Sequence, residues 1–245
     1  MQYNEFCLNN NFYDSYKRAL NVVNMLVNDY INNNKDHDVV AYVNKRLKTE
    51  ESIKGKLKRN NFEYSEDGAR DNLRDIAGIR VVCPFVKDLN DIRDYLRNNP
   101  YIYNVLIEKD YISNPKPTGY RSYHMIVNVI DTVNDGDVIN LVPVEIQLRT
   151  LAMDLYASLE HRLRYKNKYS SFYLEEMNNK LKRAYEKILE IDDKSSKMIR
   201  LSRSFEDNID NERELDFDRR KFTYAKKKLK SVVRAVLARR TKPII

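Results

Sequence analysis

The positions of apolar residues along the chain indicate helix first, then alternating strands and helices, then helix again. Over residues 11–31, apolar side chains recur every three or four positions, which predicts an amphipathic helix. The residues on this face are Phe12, Tyr16, Leu20, Val23 and Val27. The polar run at residues 32–38 ends the pattern.

Residues 42–48 instead alternate with a period of two. Val43 and Leu47 share one face, and the polar residues between them share the other, which is typical of a half-buried strand. A short helix is expected from about Glu50, because acidic residues favour the first turn of a helix. Ile53 and Leu57 supply its packing side.

The rest of the chain continues this alternation. Strands are predicted over residues 79–85, 101–108, 122–130 and 141–149, and a helix over residues 88–97. Prolines and glycines predict a loop at 114–119 and a hairpin turn at 134–137, and helices are predicted from residue 150, over about 172–199 and over about 216–238. We therefore expect an α/β (α+β) fold with a core over residues 39–168, a helical segment at 1–38 and C-terminal helices with a basic tail at 169–245.

Charge is distributed unevenly over this pattern. Residues 221–245 contain nine Lys or Arg and no acid, so residues 1–220 carry −1, the +8 of the whole chain less +9. Because the basic tail supplies the net positive charge, that charge is a poor argument for nucleic-acid binding by the nearly neutral body. We expect no stable nucleic-acid partner. We expect the tail to form a basic amphipathic helix that packs on the body or on a neighbouring subunit.

Other features exclude several classes of protein. No apolar run approaches the roughly 18 residues of a membrane span, and the N-terminal residues lack the apolar stretch of a signal peptide. Cys7 and Cys83 are too few for a disulfide framework or a thiolate zinc site. We therefore expect a cytoplasmic protein with no membrane partner.

Cations cluster at the first strand and the helix after it. The strand places Arg46 and Lys48 on one face, and the helix places Ser52, Lys56 and Arg59 at positions i, i+4 and i+7. Cations from two adjacent elements can surround a polyphosphate from several sides. The alternative is an ordinary charged surface.

Two carboxylates are expected to face a cleft, one from a turn and one from a strand. Asp75 precedes a turn of small residues before an apolar strand, and Glu145 projects from an otherwise apolar strand. Such a pair suits magnesium binding and proton abstraction near a phosphate. The alternatives are that Asp75 caps the turn and that Glu145 pairs with Arg149.

The loop at 114–119 leads into Tyr120 and His124. A tyrosine held on a loop can stack on a base, and Lys116 can meet a phosphate. His124 follows at the start of a strand, and we interpret it as a structural hydrogen-bonding residue.

Taken in order, these segments resemble the synthetase domain of RelA/SpoT-type GTP pyrophosphokinases, which make the alarmone (p)ppGpp. The resemblance spans about residues 40–167. The matching stretches are residues 46–48, 56–59, 75–81, 111–112, 115–116, 119–124, 144–150, 160–161 and 165–166.

The resemblance implies a nucleotidyltransferase-like mixed sheet and transfer of pyrophosphate from ATP to the 3′-hydroxyl of GTP or GDP, which releases AMP. ATP would be held by Arg46, Lys48, Ser52, Lys56 and Arg59. The guanosine nucleotide would be held by Lys116, Tyr120, Arg121, Gln147 and Asp154, with Tyr120 stacking on guanine and Asp154 reading its edge. Glu145 would be the base, and Asp75 with Glu145 would bind Mg²⁺.

Members of this family that resemble the chain in size are small, stand-alone alarmone synthetases, and the resemblance implies a homotetramer built through the flanking helices. Two other readings remain open. One is a toxin-like enzyme that transfers pyrophosphate to the 3′ end of tRNA, and the other is a non-catalytic RNA-binding module. Lys116 and Arg121 favour a free nucleotide as acceptor, and the two carboxylates favour catalysis. The choice among GTP, GDP and GMP stays open, as does allosteric control near Tyr42 and Asn44.

Overall fold

The computed structural model describes residues 8, 11–34, 38–131, 140–165, 175–195, 197–198 and 201. The chain divides into two compact units, residues 1–193 and residues 194–245. The elements discussed below lie in the first unit, apart from residues 194 and 195 at the end of the last helix. The second contains residues 194, 195, 197, 198 and 201 of the described part, and the predicted helix over residues 216–238 lies outside it.

The first unit is built on a mixed sheet of five strands within the described residues. The strands are β1 (Tyr42–Leu47), β2 (Ala77–Cys83), β3 (Ile102–Asp110), β4 (Tyr123–Asp131) and β5 (Asn140–Thr150). Their order is β1-β2-β5-β4-β3, with β2 and β5 parallel and every other pair antiparallel. The sheet confirms the predicted α/β class.

Helices surround this sheet. They are α1 (Phe12–Asn33), α2 (Glu50–Arg59), α3 (Glu66–Asn72), α4 (Val86–Arg97), α5 (Leu151–Tyr165) and a helix over residues 175–195, here α6. None of the helices in the described ranges is long and apolar enough to cross a bilayer.

One face of the sheet forms the core and the other stays partly open. Along β5, Val144, Ile146 and Leu148 are fully buried, whereas Glu145 and Gln147 between them are only half-buried. The helices α1 and α4 contact each other and the central strands, and their apolar stripes cover the buried face. Because side chains alternate across a strand, the polar residues of β5 are directed to the opposite, open face.

The amphipathic pattern predicted most of the elements correctly. The expected helix over residues 11–31 corresponds to α1, and the expected strand over residues 42–48 corresponds to β1. The strand predicted over residues 79–85 begins and ends two residues earlier, because Ala77 and Gly78 pair with β5 and Pro84 has no N–H for the ladder. The turn predicted at 134–137 lies outside the described residues.

Helix α3 was absent from the sequence prediction. It has seven residues, and the side chain of Ser65 caps it by accepting a hydrogen bond from Gly68 N at 2.9 Å. Only Gly68 and Ala69 of the helix are buried, so no apolar stripe marks it in the sequence.

Helix α2 is fixed at its start and on one side. Thr49 is the N-cap residue and its hydroxyl accepts from Ser52 N at 3.4 Å, while Ile53 and Leu57 are fully buried. These contacts fix the rotation of α2 about its axis, so that Lys56 is directed towards the residues that precede β2.

Candidate active site

A cleft of about 300 Å³ opens on the partly exposed face of the sheet. It lies over β1, β2 and β5, and its lining residues are Asn44, Lys45, Arg46, Gly78, Ile79, Arg80, Glu145 and Gln147. Arg46, which is predicted to hold ATP, and Glu145, which is predicted to abstract a proton, therefore lie on the same surface.

Strand register explains why these side chains meet. Arg46 is opposite Gly78 in the β1–β2 pair, and Gly78 is opposite Glu145 in the β2–β5 pair. The side chain of Arg46 lies over Gly78, where a Cβ atom would be 3.4 Å from Arg46 Nε. Because no side chain stands between them, Arg46 Nη2 reaches Glu145 Oε2 at 3.4 Å.

The second carboxylate, Asp75, is held by two lysines. Lys48 Nζ donates to Asp75 Oδ2 at 2.6 Å, and Lys56 Nζ donates to Asp75 Oδ1 at 2.9 Å. Burial alone would raise the pKa of Asp75, but the hydrogen bonds and charges of the two lysines outweigh it and hold that pKa below its ordinary value. Asp75 is therefore ionised at neutral pH and joins β1 to α2.

The remaining residues predicted for ATP lie on the exposed side of α2. Ser52 and Arg59 are exposed, and the hydroxyl of Ser52 accepts from Thr49 Oγ1 at 3.1 Å. The structure thus brings Lys48 and Lys56 together at Asp75. Ser52 and Arg59 lie on the same helix as Lys56, but on its solvent-exposed side.

Glu145 contacts residues from both sides of its strand. His124 Nδ1 lies 3.6 Å from Glu145 Oε1, and Arg46 lies on the other carboxylate oxygen. Burial would raise the pKa of Glu145, but its neighbours His124 and Gln147 and the charge of Arg46 lower it below its ordinary value. The carboxylate is therefore present as a proton acceptor at neutral pH.

His124 connects Glu145 to the loop that carries Tyr120. Its Nε2 is 3.0 Å from the Tyr120 hydroxyl, and the two residues are four apart in sequence. The sequence interpretation of His124 as a hydrogen-bonding residue agrees with this contact but missed its place beside Glu145. The alternation of side chains along the strand was the signal that could have indicated this place, because β4 pairs His124 with Gln147 on the open face.

The loop residue Lys116 lies over two aromatic rings. Its Nζ is 4.7 Å from the ring centre of Tyr111 and 5.0 Å from that of Tyr120. The neighbouring Arg121 turns back into the protein, where its Nη1 donates to the carbonyl of Ile112 at 2.5 Å. Of these two predicted acceptor-site cations, Lys116 is therefore exposed beside Tyr120 and Arg121 supports the base of the loop.

A buried network continues from Tyr120 to the edge of the sheet. Arg149 donates to the Tyr120 hydroxyl at 2.7 Å and to Asp154 Oδ1 at 2.8 Å, and Tyr42 donates to Asp154 Oδ2 at 2.6 Å. Arg149 and Asp154 are both buried. The pairing of Glu145 with Arg149, one of the alternatives from the sequence, is wrong, because Asp154 in the first turn of α5 takes the guanidinium instead.

Gln147 and Arg80 lie between this network and the cleft. Gln147 Oε1 accepts from Arg80 Nε and from Arg149 Nη2, each at 3.4 Å. Arg80 Nη1 is also 3.5 Å from Asp154 Oδ1. Arg80 was given no role by the sequence, although its pairing with Gln147 places both on the open face.

The carboxylates fit a metal that is shared with substrate phosphates. No group of three or more His, Cys, Asp or Glu suited to a metal ion occurs among the described residues. Magnesium, however, is commonly bound through one or two carboxylates with phosphates and waters completing its coordination. Asp75 and Glu145, both ionised, are the carboxylates that could supply hard oxygen ligands to such a shared site.

Comparisons with known proteins show what the sequence is similar to. A model of the region found in RelA and SpoT proteins matches residues 45–170. The chain is 36% identical over 154 residues to the GTP pyrophosphokinase YwaC of Bacillus subtilis (strain 168), which covers 62% of this chain and 72% of the relative.

Solved structures show the same likeness. The small alarmone synthetase 1 of Bacillus subtilis matches with a TM-score of 0.66 and 30% identity, over 79% of this chain and 96% of that chain. The same synthetase bound to its product pppGpp matches with a TM-score of 0.63 and 30% identity, over 76% of this chain and 94% of that chain.

The buried pair of Arg149 and Asp154 predicts how stability depends on pH. Burial would raise the pKa of Asp154, but Tyr42, Arg149 and Arg80 lower it below its ordinary value. The unfolded chain therefore binds this proton more readily, so the stabilisation is present above pH 4 to 5 and is lost as pH falls through the folded pKa.

We expect Asp154→Asn to lower the free energy of unfolding by about 3 kcal/mol at pH 7, because it leaves a buried guanidinium without its counter-charge. Urea unfolding at pH 7 and at pH 3 measures the difference, which should shrink at the lower pH. Tyr42→Phe keeps the charge pair but removes the hydroxyl that contributes most to lowering this pKa, so its pH dependence should be weaker than that of the wild type. An equal deficit of Asp154→Asn at both pH values would contradict this account.

Proposed function

Because this chain belongs to the RelA/SpoT family, we infer that it is a GTP diphosphokinase that makes (p)ppGpp from ATP and a guanosine nucleotide. The product bound to the related synthetase 1 is pppGpp, which fits the same reaction. One observation carries the assignment of the site. A continuous series of contacts runs from the cation Arg46 through Glu145 and His124 to Tyr120.

We propose that the ATP phosphates lie at the start of this series. Lys48 and Lys56 meet at Asp75, and Arg46 lies over Gly78 at the mouth of the cleft. Phosphoryl-type transfer depends mostly on positioning and on neutralising charge, and these cations supply both. Ser52 and Arg59, on the outer side of α2, would contact ATP beyond the cluster at Asp75.

In the proposed reaction, Glu145 accepts the proton of the acceptor 3′-hydroxyl. The 3′-oxygen then forms a bond to the β-phosphorus of ATP, and the bond between that phosphorus and the α–β bridging oxygen breaks. AMP leaves with that oxygen, and the pyrophosphate group is now on the guanosine nucleotide. His124 holds one carboxylate oxygen of Glu145, and Arg46 holds the other.

The acceptor nucleotide is proposed to bind at the loop. Tyr120 would stack on guanine, and Lys116, now over the ring of Tyr120, would meet the acceptor phosphates. Arg121 and Gln147 would support the loop and the cleft wall. Asp154 would read the guanine edge only by exchanging a present partner, since Tyr42 and Arg149 occupy its two oxygens.

We propose that Mg²⁺ is the divalent ion, held by Asp75 and Glu145 together with phosphate oxygens. When bound, it would neutralise charge that develops on the transferred phosphates. Lys48 and Lys56 hold Asp75 in place for this role.

We further propose a homotetramer that functions in the cytoplasm in the stringent response. Leu151, Leu155 and Leu159 are spaced four apart on α5, and each is more than a third exposed. Such an apolar stripe favours association with another chain. The buried free thiol of Cys83 is compatible with a reducing compartment.

Product formation tests the assigned reaction. The purified protein with ATP, GTP and magnesium should release AMP and an equal amount of a guanosine 3′-pyrophosphate, as measured by ion-exchange chromatography. Parallel reactions with GDP and with GMP measure the acceptor preference. AMP that appears only after tRNA is added would instead identify tRNA as the acceptor.

The role of Glu145 is tested by Glu145→Gln, which keeps the size and polarity of the side chain but removes the proton acceptor. We expect kcat to fall by about 10²–10⁴-fold with ATP affinity nearly unchanged, measured by steady-state turnover and by calorimetry. Glu108→Gln is the matched control, because Glu108 lies on β3 with Arg97 as its partner. Full activity of Glu145→Gln would exclude it as the base.

The oligomer is tested on α5. Leu155→Glu places a charge in the centre of the exposed stripe, so we expect the mass from light scattering to fall below four chains. Leu106→Glu is the control, because Leu106 is 40% exposed on β3 and outside the stripe. A wild-type mass of a single chain would refute the proposed tetramer.

A further inference from the structure

The loop that carries Tyr120, residues 114–121, is here called the acceptor loop. Its shape is set by its own backbone, since Gly119 N donates to Lys116 O at 2.8 Å and Lys116 N donates to Tyr120 O at 3.1 Å. These bonds fix the turn within the loop. They do not fix how the turn is placed on the body of the protein.

A single side-chain hydroxyl from helix α5 reaches the tip of the acceptor loop. Tyr156 is 3% exposed, and its hydroxyl donates to the carbonyl oxygen of Thr118. The next residue, Gly119, has φ of +90°, and a Cβ atom there would lie 3.1 Å from the Tyr156 hydroxyl oxygen. The backbone of the loop is therefore in close contact with this hydroxyl.

Tyr156 is itself held by helix α6. Its ring stacks on the ring of Tyr185, with centroids 4.4 Å apart and planes 28° apart. Tyr185 is also buried, but its hydroxyl has no hydrogen-bond partner among the described residues. Tyr185 therefore contributes its ring to the stack, whereas Tyr156 contributes both its ring and its hydroxyl.

Helix α6 contacts the acceptor loop through Lys182, whose Cγ would lie 3.3 Å from a Cβ atom at Gly119. Beside this contact a cavity of about 330 Å³ opens between the two segments, lined by Pro115, Pro117, Glu186 and other residues. The contact with Lys182 is made by a methylene group and has no directional preference. The hydroxyl of Tyr156 is thus the specific tether at the tip.

We propose that Tyr156 is a positioning residue for the acceptor nucleotide. By holding Thr118 it sets the position of Tyr120, two residues later, against His124 and Arg149. The inference rests on the proposed function in one respect, the assignment of Tyr120 to the guanosine nucleotide. It adds that helices α5 and α6, outside the cleft, set the affinity for that nucleotide.

Two variants with the same chemical change test the proposal. Tyr156→Phe removes the hydroxyl that binds the loop, and Tyr185→Phe removes the neighbouring hydroxyl, which has no partner within the part of the chain that the structure describes. We expect Tyr156→Phe to raise the KM for GTP about tenfold, as for loss of one hydrogen bond, with the KM for ATP and kcat at saturation little changed. Tyr185→Phe should match the wild type in both KM values and in kcat. Tyr120→Ala shows how large the increase in the KM for GTP is when the tyrosine of the loop is itself removed.

A second measurement does not depend on turnover. Amide hydrogen exchange over residues 114–121 should be faster in Tyr156→Phe than in Tyr185→Phe or the wild type, with exchange in the central strands unchanged.

Tyr156→Phe with the wild-type KM for GTP overturns the proposal, and so do equal effects of the two variants, since equal effects would show general packing. If the wild type makes no guanosine product, the proposed function fails instead. The hydrogen-exchange comparison then tests only whether Tyr156 holds the acceptor loop, and equal exchange in the two variants overturns that role.

Discussion

The burial of carboxylates beside cations is the constraint on which this site depends. Asp75, Glu145 and Asp154 are all withdrawn from water, which by itself disfavours their charged forms. Neighbouring groups keep each of them ionised. These groups are Lys48 and Lys56 at Asp75, His124, Gln147 and Arg46 at Glu145, and Tyr42 and Arg149 at Asp154. The charge pairs therefore join β1, α2, β2, β5 and α5 at the positions where chemistry is proposed.

The sheet makes this arrangement rigid. The alternation of side chains along β5 directs Val144 and Ile146 into the core and Glu145 to the open face, so the same strand anchors the site and carries the proposed base. The loop and the short helix α2 then bring the remaining groups to a surface that packing has already fixed. Reactive groups on strands are held more precisely than groups on loops alone.

Local patterns in the sequence predicted most of the helices and strands, but they could not predict which strands pair with each other and in which register. The three-and-four spacing of α1 and the alternation of β1 are properties of short segments, so both were predicted. The sequence also offered Asp75 and Glu145 as a pair, and the family resemblance implied the same pair as metal ligands. Arg149 was offered to Glu145 because both lie on one strand, but the turn from β5 into α5 brings Asp154 to Arg149 instead. Arg80 and His124 were missed because their importance comes only from register across neighbouring strands.

The outer strand β3 has a consequence for the behaviour of the protein at high concentration. It is nine residues long, lies at the edge of the sheet, and exposes Tyr103 and Ile107. A flat edge of this kind is a template for uncontrolled strand addition, but the pairing of β3 with β4 is irregular at two places. Irregularities of this kind bend a strand and increase its local twist. Because a bent edge is a poorer template for strand addition than a flat one, they disfavour edge-to-edge association on that side of the sheet.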